Sequence, residues 1–124
     1  MGGYTQVDVY FRATAGKVTP LGIANSTPPS GKKRTVVEEW ATSADGTKVP
    51  LTIVYSGARK GLSPTIIDAY GSYSVSGQPF YSPSWDVWNQ RGGIYAYCHI
   101  RGGGELGEAW HRAGMQANKV NAHE

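Results

Sequence analysis

The residues whose spacing most closely matches a chemical motif form a glycine-rich run from Gly102 to Gly107, which fits G-x-G-x-x-G. This pattern is typical of a loop that holds a dinucleotide pyrophosphate on backbone N–H groups, after a strand and before a helix. Such a site also needs a continuous helix, a second strand and an acidic residue about 20 positions further on. Residues 111–124 show no strand pattern, and Gly114 interrupts the helical pattern. The run is therefore interpreted as a tight structural turn, with dinucleotide binding kept as an alternative.

Nucleophilic catalysis lacks its usual signal in this chain. The G-x-S-x-G elbow, which presents a reactive serine on a strained turn, is absent from the 124 residues, and the serines of residues 71–77 have a different spacing. Cys98 and His99 are adjacent. Because neighbours on a strand point to opposite faces, they cannot form a catalytic pair there. Cys98 is predicted to be a buried thiol.

Metal binding has no support from spacing either. The three histidines, at positions 99, 111 and 123, follow no metal-ligand pattern. A single cysteine excludes C-x-x-C metal and redox sites as well as an internal disulfide. We expect neither a metal nor a cofactor.

Composition indicates an ordered chain with little material for a core of its own. Leu, Ile, Val and Phe together make up only 22 of the 124 residues, whereas 8 Tyr and 4 Trp favour an ordered fold. Twelve basic against nine acidic side chains give a net charge of +3, too small to indicate a nucleic-acid or membrane partner. We therefore expect a piece of something larger, or a non-catalytic interaction module as a further alternative.

The N-terminal half reads as two hairpins separated by a linker. A half-buried strand is predicted from Gln6 to Phe11, followed by an extended run from Val18 to Leu21. Residues 24–33 have linker composition. The second hairpin has strands at 34–42 and 48–55 around an Asp-Gly turn at 45–46. Pro50 indicates an edge position or an irregular ladder for the latter strand.

The C-terminal half predicts a strand–helix–strand unit. Pro64–Tyr70 is predicted to be a strand buried on both faces, and Ile94–Ile100 a second buried strand. Between them, residues 84–91 fit a short helix capped by Ser84 and stopped by two glycines at 92–93. Short helices are expected in the last twenty residues. This order predicts a βαβ unit and hence the α/β class.

Three blocks of sequence resemble the prolyl oligopeptidase family. Residues 41–50 are similar to the hairpin that opens its peptidase domain, and residues 68–73 to its Tyr-Gly-Tyr-Gly-Gly-Phe loop. Residues 100–111 resemble its Ile-Arg-Gly-Gly-Gly-Glu-Tyr-Gly signature with Trp-His, continuing to Lys-x-Asn at 119–121. Residues 4–22 resemble the last strands of the β-propeller that precedes the peptidase domain in the family.

The resemblance implies an α/β-hydrolase serine endopeptidase that cleaves short peptides, typically after proline. Residues 1–33 would be a β-propeller remnant and linker, and residues 34–124 the N-terminal part of the peptidase domain, a partial α/β-hydrolase sheet. In the family the Ser, Asp and His of the triad follow in that order beyond the signature block. The 124 residues are therefore predicted to be inactive alone.

The same resemblance implies one functional residue within this chain. Tyr70 occupies the place of the family tyrosine whose hydroxyl donates to the oxyanion of the tetrahedral intermediate; a buried structural tyrosine is the alternative. The loop differs from the family pattern at positions 68, 69 and 72, which are Asp, Ala and Ser. Loop-shaping roles are predicted for the residues of the signature turn, which are Arg101, Gly102, Gly103, Gly104 and Glu105. Arg101 and Glu105 could pair with each other or with neighbouring backbone.

The resemblance and the sequence together predict the partners and the location of the protein. We expect a short peptide substrate for the full-length enzyme, no nucleic-acid or membrane partner, and self-association of the truncated chain through an unpaired edge or uncovered face of Ile94–Ile100. No apolar run approaches the about 18 residues that cross a bilayer, and no signal peptide is visible. A cytoplasmic location is favoured.

Overall fold

The computed structural model describes residues 3–5, 7–24, 33–59 and 61–123. It contains a two-stranded antiparallel sheet and a four-stranded mixed sheet in the order β3-β4-β6-β5. The strands are β1 (Val9–Thr14), β2 (Lys17–Ala24), β3 (Arg34–Thr42), β4 (Lys48–Ser56), β5 (Thr65–Ala69) and β6 (Ile94–Cys98). The helices are α1 (Pro83–Gln90), α2 (Glu108–Arg112) and a 3-10 helix, α3 (Gln116–Ala122). No helix of the described residues has the length and apolar character needed to cross a membrane.

The first hairpin forms where the sequence predicts it, although β1 begins later than expected. Ala15 and Gly16 both have positive φ, of 47° and 77°, which suits a tight two-residue turn. The expectation of a half-buried strand is wrong, because all six residues of β1 are exposed and neither of its faces is covered. Gln6 and residues 25–32 of the predicted linker lie outside the described residues.

The second hairpin confirms the predicted strands and the Asp-Gly turn. Ser43 N donates to Thr47 O at 2.9 Å, and Thr47 N donates to the Asp45 carboxylate at 2.9 Å. The edge interpretation of Pro50 is wrong, because β4 lies between β3 and β6. Proline is tolerated there because the β4–β6 ladder begins only at Leu51, and the Pro50 carbonyl accepts from the backbone N–H of residue 99 at 3.0 Å.

The predicted βαβ unit is present, since β5 and β6 are parallel neighbours with α1 between them in the chain. The expectation that β5 is buried on both faces is wrong. It is an edge strand, and Ile67 is 66% exposed, because α1 packs on β4 and β6 rather than on β5. The expected open edge of β6 is also wrong, because β4 and β5 pair with it on either side. The open edges belong to β3 and β5.

Helix α1 begins at Pro83, which is earlier than a cap at Ser84 predicts. Its N-cap is Ser82 rather than Ser84, and no side chain caps it. Pro83 stands at the first helical position, where its fixed φ and missing N–H suit a helix start. The predicted stop is confirmed, with Gly92 N donating to Asn89 O at 3.0 Å and Gly93 N to Trp88 O at 3.1 Å.

One buried cluster lies between α1 and the centre of the four-stranded sheet. Tyr95 of β6 is 1% exposed and stacks on Trp85 with ring centroids 4.5 Å apart. The buried Asn89 amide donates to Val54 O and Gly93 O, each at 3.0 Å, which ties α1 to β4. The other buried apolar residues are Val49, Ile53, Val54, Ala96, Trp110 and Ala122.

Candidate functional site

Two loops meet where the parallel strands β5 and β6 end. We call residues 70–77, which follow β5, the tyrosine loop, and residues 101–107, which come shortly after β6, the glycine loop. Gly71 has φ of +51°, and a Cβ there would lie 2.3 Å from Ile100 Cγ1. Only glycine fits this position, so the tyrosine loop runs directly against the chain that leaves β6. Ligand sites of α/β sheets form at this carboxyl edge.

Tyr70 stands at that edge with an accessible side chain. It is 52% exposed, and no described residue hydrogen-bonds to its hydroxyl. The alternative interpretation, a buried structural tyrosine, therefore does not agree with this structure. A tyrosine hydroxyl is a neutral hydrogen-bond donor, so Tyr70 has a donor available to a bound group.

Carbonyl oxygens of the tyrosine loop pack closely against the glycine loop. A Cβ on Gly102, whose φ is +99°, would lie 2.2 Å from Gly71 O, and one on Gly104 would lie 2.3 Å from Ser74 O. Carbonyl oxygens of the chain therefore stand where a dinucleotide loop needs open space for phosphate. The helix that follows, α2, has only five residues. This packing does not favour the nucleotide interpretation and agrees with a structural turn.

Arg101 is buried and joins the glycine loop to two distant segments. Its Nη2 donates to Ser43 Oγ at 2.8 Å, and its Nε donates to Asn121 O at 3.0 Å. It also forms an ion pair with Asp45. The hydrogen bond from Arg101, together with the backbone N–H of Thr47, lowers the pKa of Asp45 to about 2.

Glu105 binds other partners than Arg101. Its Oε1 accepts from Gly77 N at 3.0 Å and lies 3.3 Å from His99 Nδ1. The Nε2 atom of His99 lies 2.8 Å from Thr52 Oγ1. Glu105 therefore connects the glycine loop to the end of the tyrosine loop, and His99 belongs to this polar chain. Among the described residues, no three side chains group as metal ligands.

Cys98 is partly rather than fully buried, which corrects the prediction. Burial raises the pKa of its thiol, so the reactive thiolate is disfavoured. Its neighbours across the sheet are Leu51 and Ala69, both strand residues without nucleophilic chemistry.

Sequence reasoning missed Lys119, which reaches the tyrosine loop from α3. Its Nζ donates to Gly71 O at 2.7 Å and to Ser72 Oγ at 3.0 Å. It also missed His111, whose Nδ1 lies 2.8 Å from Gly102 O and 3.1 Å from Ser74 N. The Trp-His and Lys-x-Asn positions were visible in the sequence only as matches to the family signature.

Comparison with known proteins places this arrangement in a family. The model of the prolyl oligopeptidase family matches residues 79–124. A prolyl endopeptidase of Elizabethkingia meningoseptica is 49% identical over 82 residues, covering 64% of this chain and 12% of that protein. A prolyl endopeptidase of Elizabethkingia miricola is 38% identical over 136 aligned residues, covering 97% of this chain and 19% of that protein.

A solved structure agrees along almost the whole chain. A post-proline cleaving enzyme from Rickettsia typhi superposes with a TM-score of 0.82 at 27% identity, covering 98% of this chain and 18% of that one. The chain thus spans less than a fifth of the length of these relatives. The signature turn, the fold and these relatives together show that the chain belongs to the prolyl oligopeptidase family.

Proposed function

We propose that this chain is the N-terminal part of the α/β-hydrolase domain of a serine-type endopeptidase that hydrolyses short proline-containing peptides. The observation that carries the proposal is Tyr70, an accessible hydroxyl donor at the carboxyl edge of the sheet. The names of the relatives, prolyl endopeptidase and post-proline cleaving enzyme, support the substrate class.

In this proposal Tyr70 donates a hydrogen bond to the oxyanion of the tetrahedral intermediate. Attack of a serine on the peptide carbonyl moves negative charge onto the carbonyl oxygen, and a fixed donor stabilises that charge more than the ground-state carbonyl. One such donor is typically worth about 2.7–4 kcal/mol of transition-state stabilisation. The serine, its base and its orienting acid would come from outside these 124 residues.

The architecture supports the division into two parts proposed from the sequence. The β1–β2 hairpin forms its own sheet, as expected for a propeller remnant in residues 1–33, and the mixed sheet with its βαβ unit lies in residues 34–124. The two parts are in contact, because Arg34 Nη2 donates to Thr5 O at 3.0 Å. The contacts of Arg101 and Glu105 support the loop-shaping role inferred for the signature turn.

We infer the partners from two sources. A net charge of +3 favours neither nucleic acid nor a membrane surface as partner, and the family resemblance favours a short peptide as substrate. The cytoplasmic location stays a prediction, and the proposed chemistry requires no cofactor.

The test is the substitution Tyr70→Phe in the complete peptidase that contains this segment. With a chromogenic proline-containing peptide, we expect kcat to fall by about 10²–10³ because one oxyanion donor is lost. The matched control is Tyr73→Phe, which removes an exposed hydroxyl three residues away where the family motif itself has phenylalanine; kcat should stay within about twofold. An unchanged kcat in Tyr70→Phe would contradict the proposed role.

The isolated 124-residue chain is expected to hydrolyse no peptide bond above background, because it holds no serine elbow. Incubation of the pure chain with the same chromogenic peptide checks this. Turnover that a serine-directed inhibitor abolishes would show that the chain is catalytic by itself and would refute the proposal.

A further inference from the structure

Lys119 holds the two residues that directly follow Tyr70. Its Nζ donates to Gly71 O at 2.7 Å and to Ser72 Oγ at 3.0 Å, across 48 and 47 positions of sequence. We propose that Lys119 is a positioning residue that fixes the direction of the Tyr70 hydroxyl. This inference rests on the proposed function of Tyr70 as an oxyanion donor.

Contacts restrain both the Cα and the carbonyl oxygen of Gly71. Its φ of +51° is in the left-handed region, its Cα lies against Ile100, and its carbonyl oxygen lies against Gly102. Lys119 supplies the hydrogen bond to that carbonyl. The carbonyl that Lys119 holds belongs to the Gly71–Ser72 peptide, so the contact fixes the backbone conformation of Gly71, through which Tyr70 is joined to the rest of the loop. The Tyr70 hydroxyl lies at the far end of its side chain, so it moves furthest when that conformation changes.

The tyrosine loop needs such restraint because its backbone is strained. Tyr73 and Ser74 are consecutive non-glycine residues with φ of 54° and 55°. Conformations of this kind persist only where surrounding contacts over-determine them. One contact, from Ser74 N to Gly102 O at 3.2 Å, lies within the strained pair. Lys119 provides the contacts upstream of it, next to Tyr70.

Lys119 is itself anchored through a buried side chain. It stands on α3, whose Asn121 carbonyl accepts from Arg101 Nε at 3.0 Å. Arg101 in turn binds Ser43 Oγ at 2.8 Å in the β3–β4 turn. A continuous series of contacts therefore runs from that turn through Arg101 and α3 to Gly71. The ammonium group is a fixed support for the loop rather than a freely moving surface charge.

This arrangement predicts an effect on kcat rather than on substrate binding. Lys119 touches the backbone behind Tyr70, and a donor acts on the oxyanion only when it is held close to the productive position. Loss of the Lys119 ammonium leaves the hydroxyl present but misdirected. We expect Lys119→Met, which keeps the aliphatic stem, to lower kcat by about 10–100-fold with KM within about twofold.

The experiment is a double-mutant cycle in the complete peptidase, combining Lys119→Met with Tyr70→Phe. If Lys119 acts through Tyr70, Lys119→Met should change kcat by less than about twofold once the hydroxyl is gone. Lys119→Arg keeps the charge and should recover part of the lost kcat. Lys17→Met, at an exposed lysine of β2, is the matched control and should leave kcat unchanged.

The outcomes separate this inference from the proposed function. If Tyr70→Phe lowers kcat but Lys119→Met does not, or lowers it equally in both backgrounds, the role of Lys119 is overturned and that of Tyr70 stands. If Tyr70→Phe has no effect, the oxyanion role fails and the positioning role fails with it. Thermal unfolding of each variant verifies folding, and if Lys119→Met does not fold, the same cycle with Lys119→Arg decides by the same non-additivity.

Discussion

At the scale of single residues, Arg101 connects segments that are far apart in the sequence. It binds Ser43 and Asp45 in the β3–β4 turn and the Asn121 carbonyl in α3. A guanidinium spreads five donors over three nitrogen atoms, so one side chain serves acceptors in both segments. The signature arginine is thus explained by its contacts around the glycine loop.

The Asp45 carboxylate gives this cluster a pH dependence with a definite sign. Its folded pKa of about 2 lies below the ordinary aspartate value of 3.8. The ionised form therefore stabilises the fold above about pH 4, and the contribution is lost as the pH falls from about 4 to about 2. Asp45→Asn should lower the thermal midpoint at pH 7 and lose less stability between pH 4 and pH 2 than the wild type.

Thermal unfolding at pH 7, 4 and 2.5 checks this prediction. Asp8→Asn, at an exposed position before β1, is the control and should keep the wild-type profile. Equal midpoint losses for the wild type and Asp45→Asn over the acid range would contradict the assignment of the pH dependence to the Asp45–Arg101 pair.

At the scale of elements, the glycine loop depends on close backbone packing as well as on positive φ. Gly102→Ala meets both problems, since φ is +99° and the new Cβ would lie 2.2 Å from Gly71 O. Gly92→Ala meets only the first, with φ of +88° and nothing within 4 Å of the new Cβ. We expect a loss of about 1–2 kcal/mol for Gly92→Ala and a clearly larger loss for Gly102→Ala. Chemical unfolding of both variants measures the difference, and equal losses would show that the close approach to Gly71 does not matter.

Local signals predicted the elements that depend on local rules. The Asp-Gly turn fixes the β3–β4 hairpin, and the two glycines after α1 end that helix where expected. Burial was predicted poorly, because an apolar pair such as Ile66-Ile67 gives the same sequence pattern in a central strand and in an edge strand. Coverage depends on which element packs above, and α1 covers β4 and β6 instead.

The candidate site was predictable only in part for the same reason. Tyr70 could be singled out because its loop resembles a family motif. Lys119 gave no independent signal, because a lysine 48 positions from its acceptor looks like any surface lysine until the chain is folded. Arg101 and Glu105 were expected to shape the loop, but their partners lie in distant segments or in the other loop.

At the scale of the whole molecule, the open edges of the larger sheet belong to β3 and β5. Strand β5 presents unpaired backbone groups next to an exposed Ile67, which favours pairing with another chain. We expect the isolated chain to self-associate or to unfold with low cooperativity. Sedimentation velocity over a range of concentrations tests this, and Ile67→Lys should reduce the associated fraction. A clean monomer with a sharp cooperative thermal transition would contradict the expectation.

The central claim is that this chain is a segment of a serine peptidase in which Tyr70 supplies one oxyanion donor. The most direct measurement is the coding sequence of the source locus beyond the Glu124 codon. We predict an in-frame continuation that carries a Gly-x-Ser-x-Gly elbow, then an aspartate and then a histidine of the triad. A stop codon directly after Glu124, or a continuation without these residues, would contradict the claim.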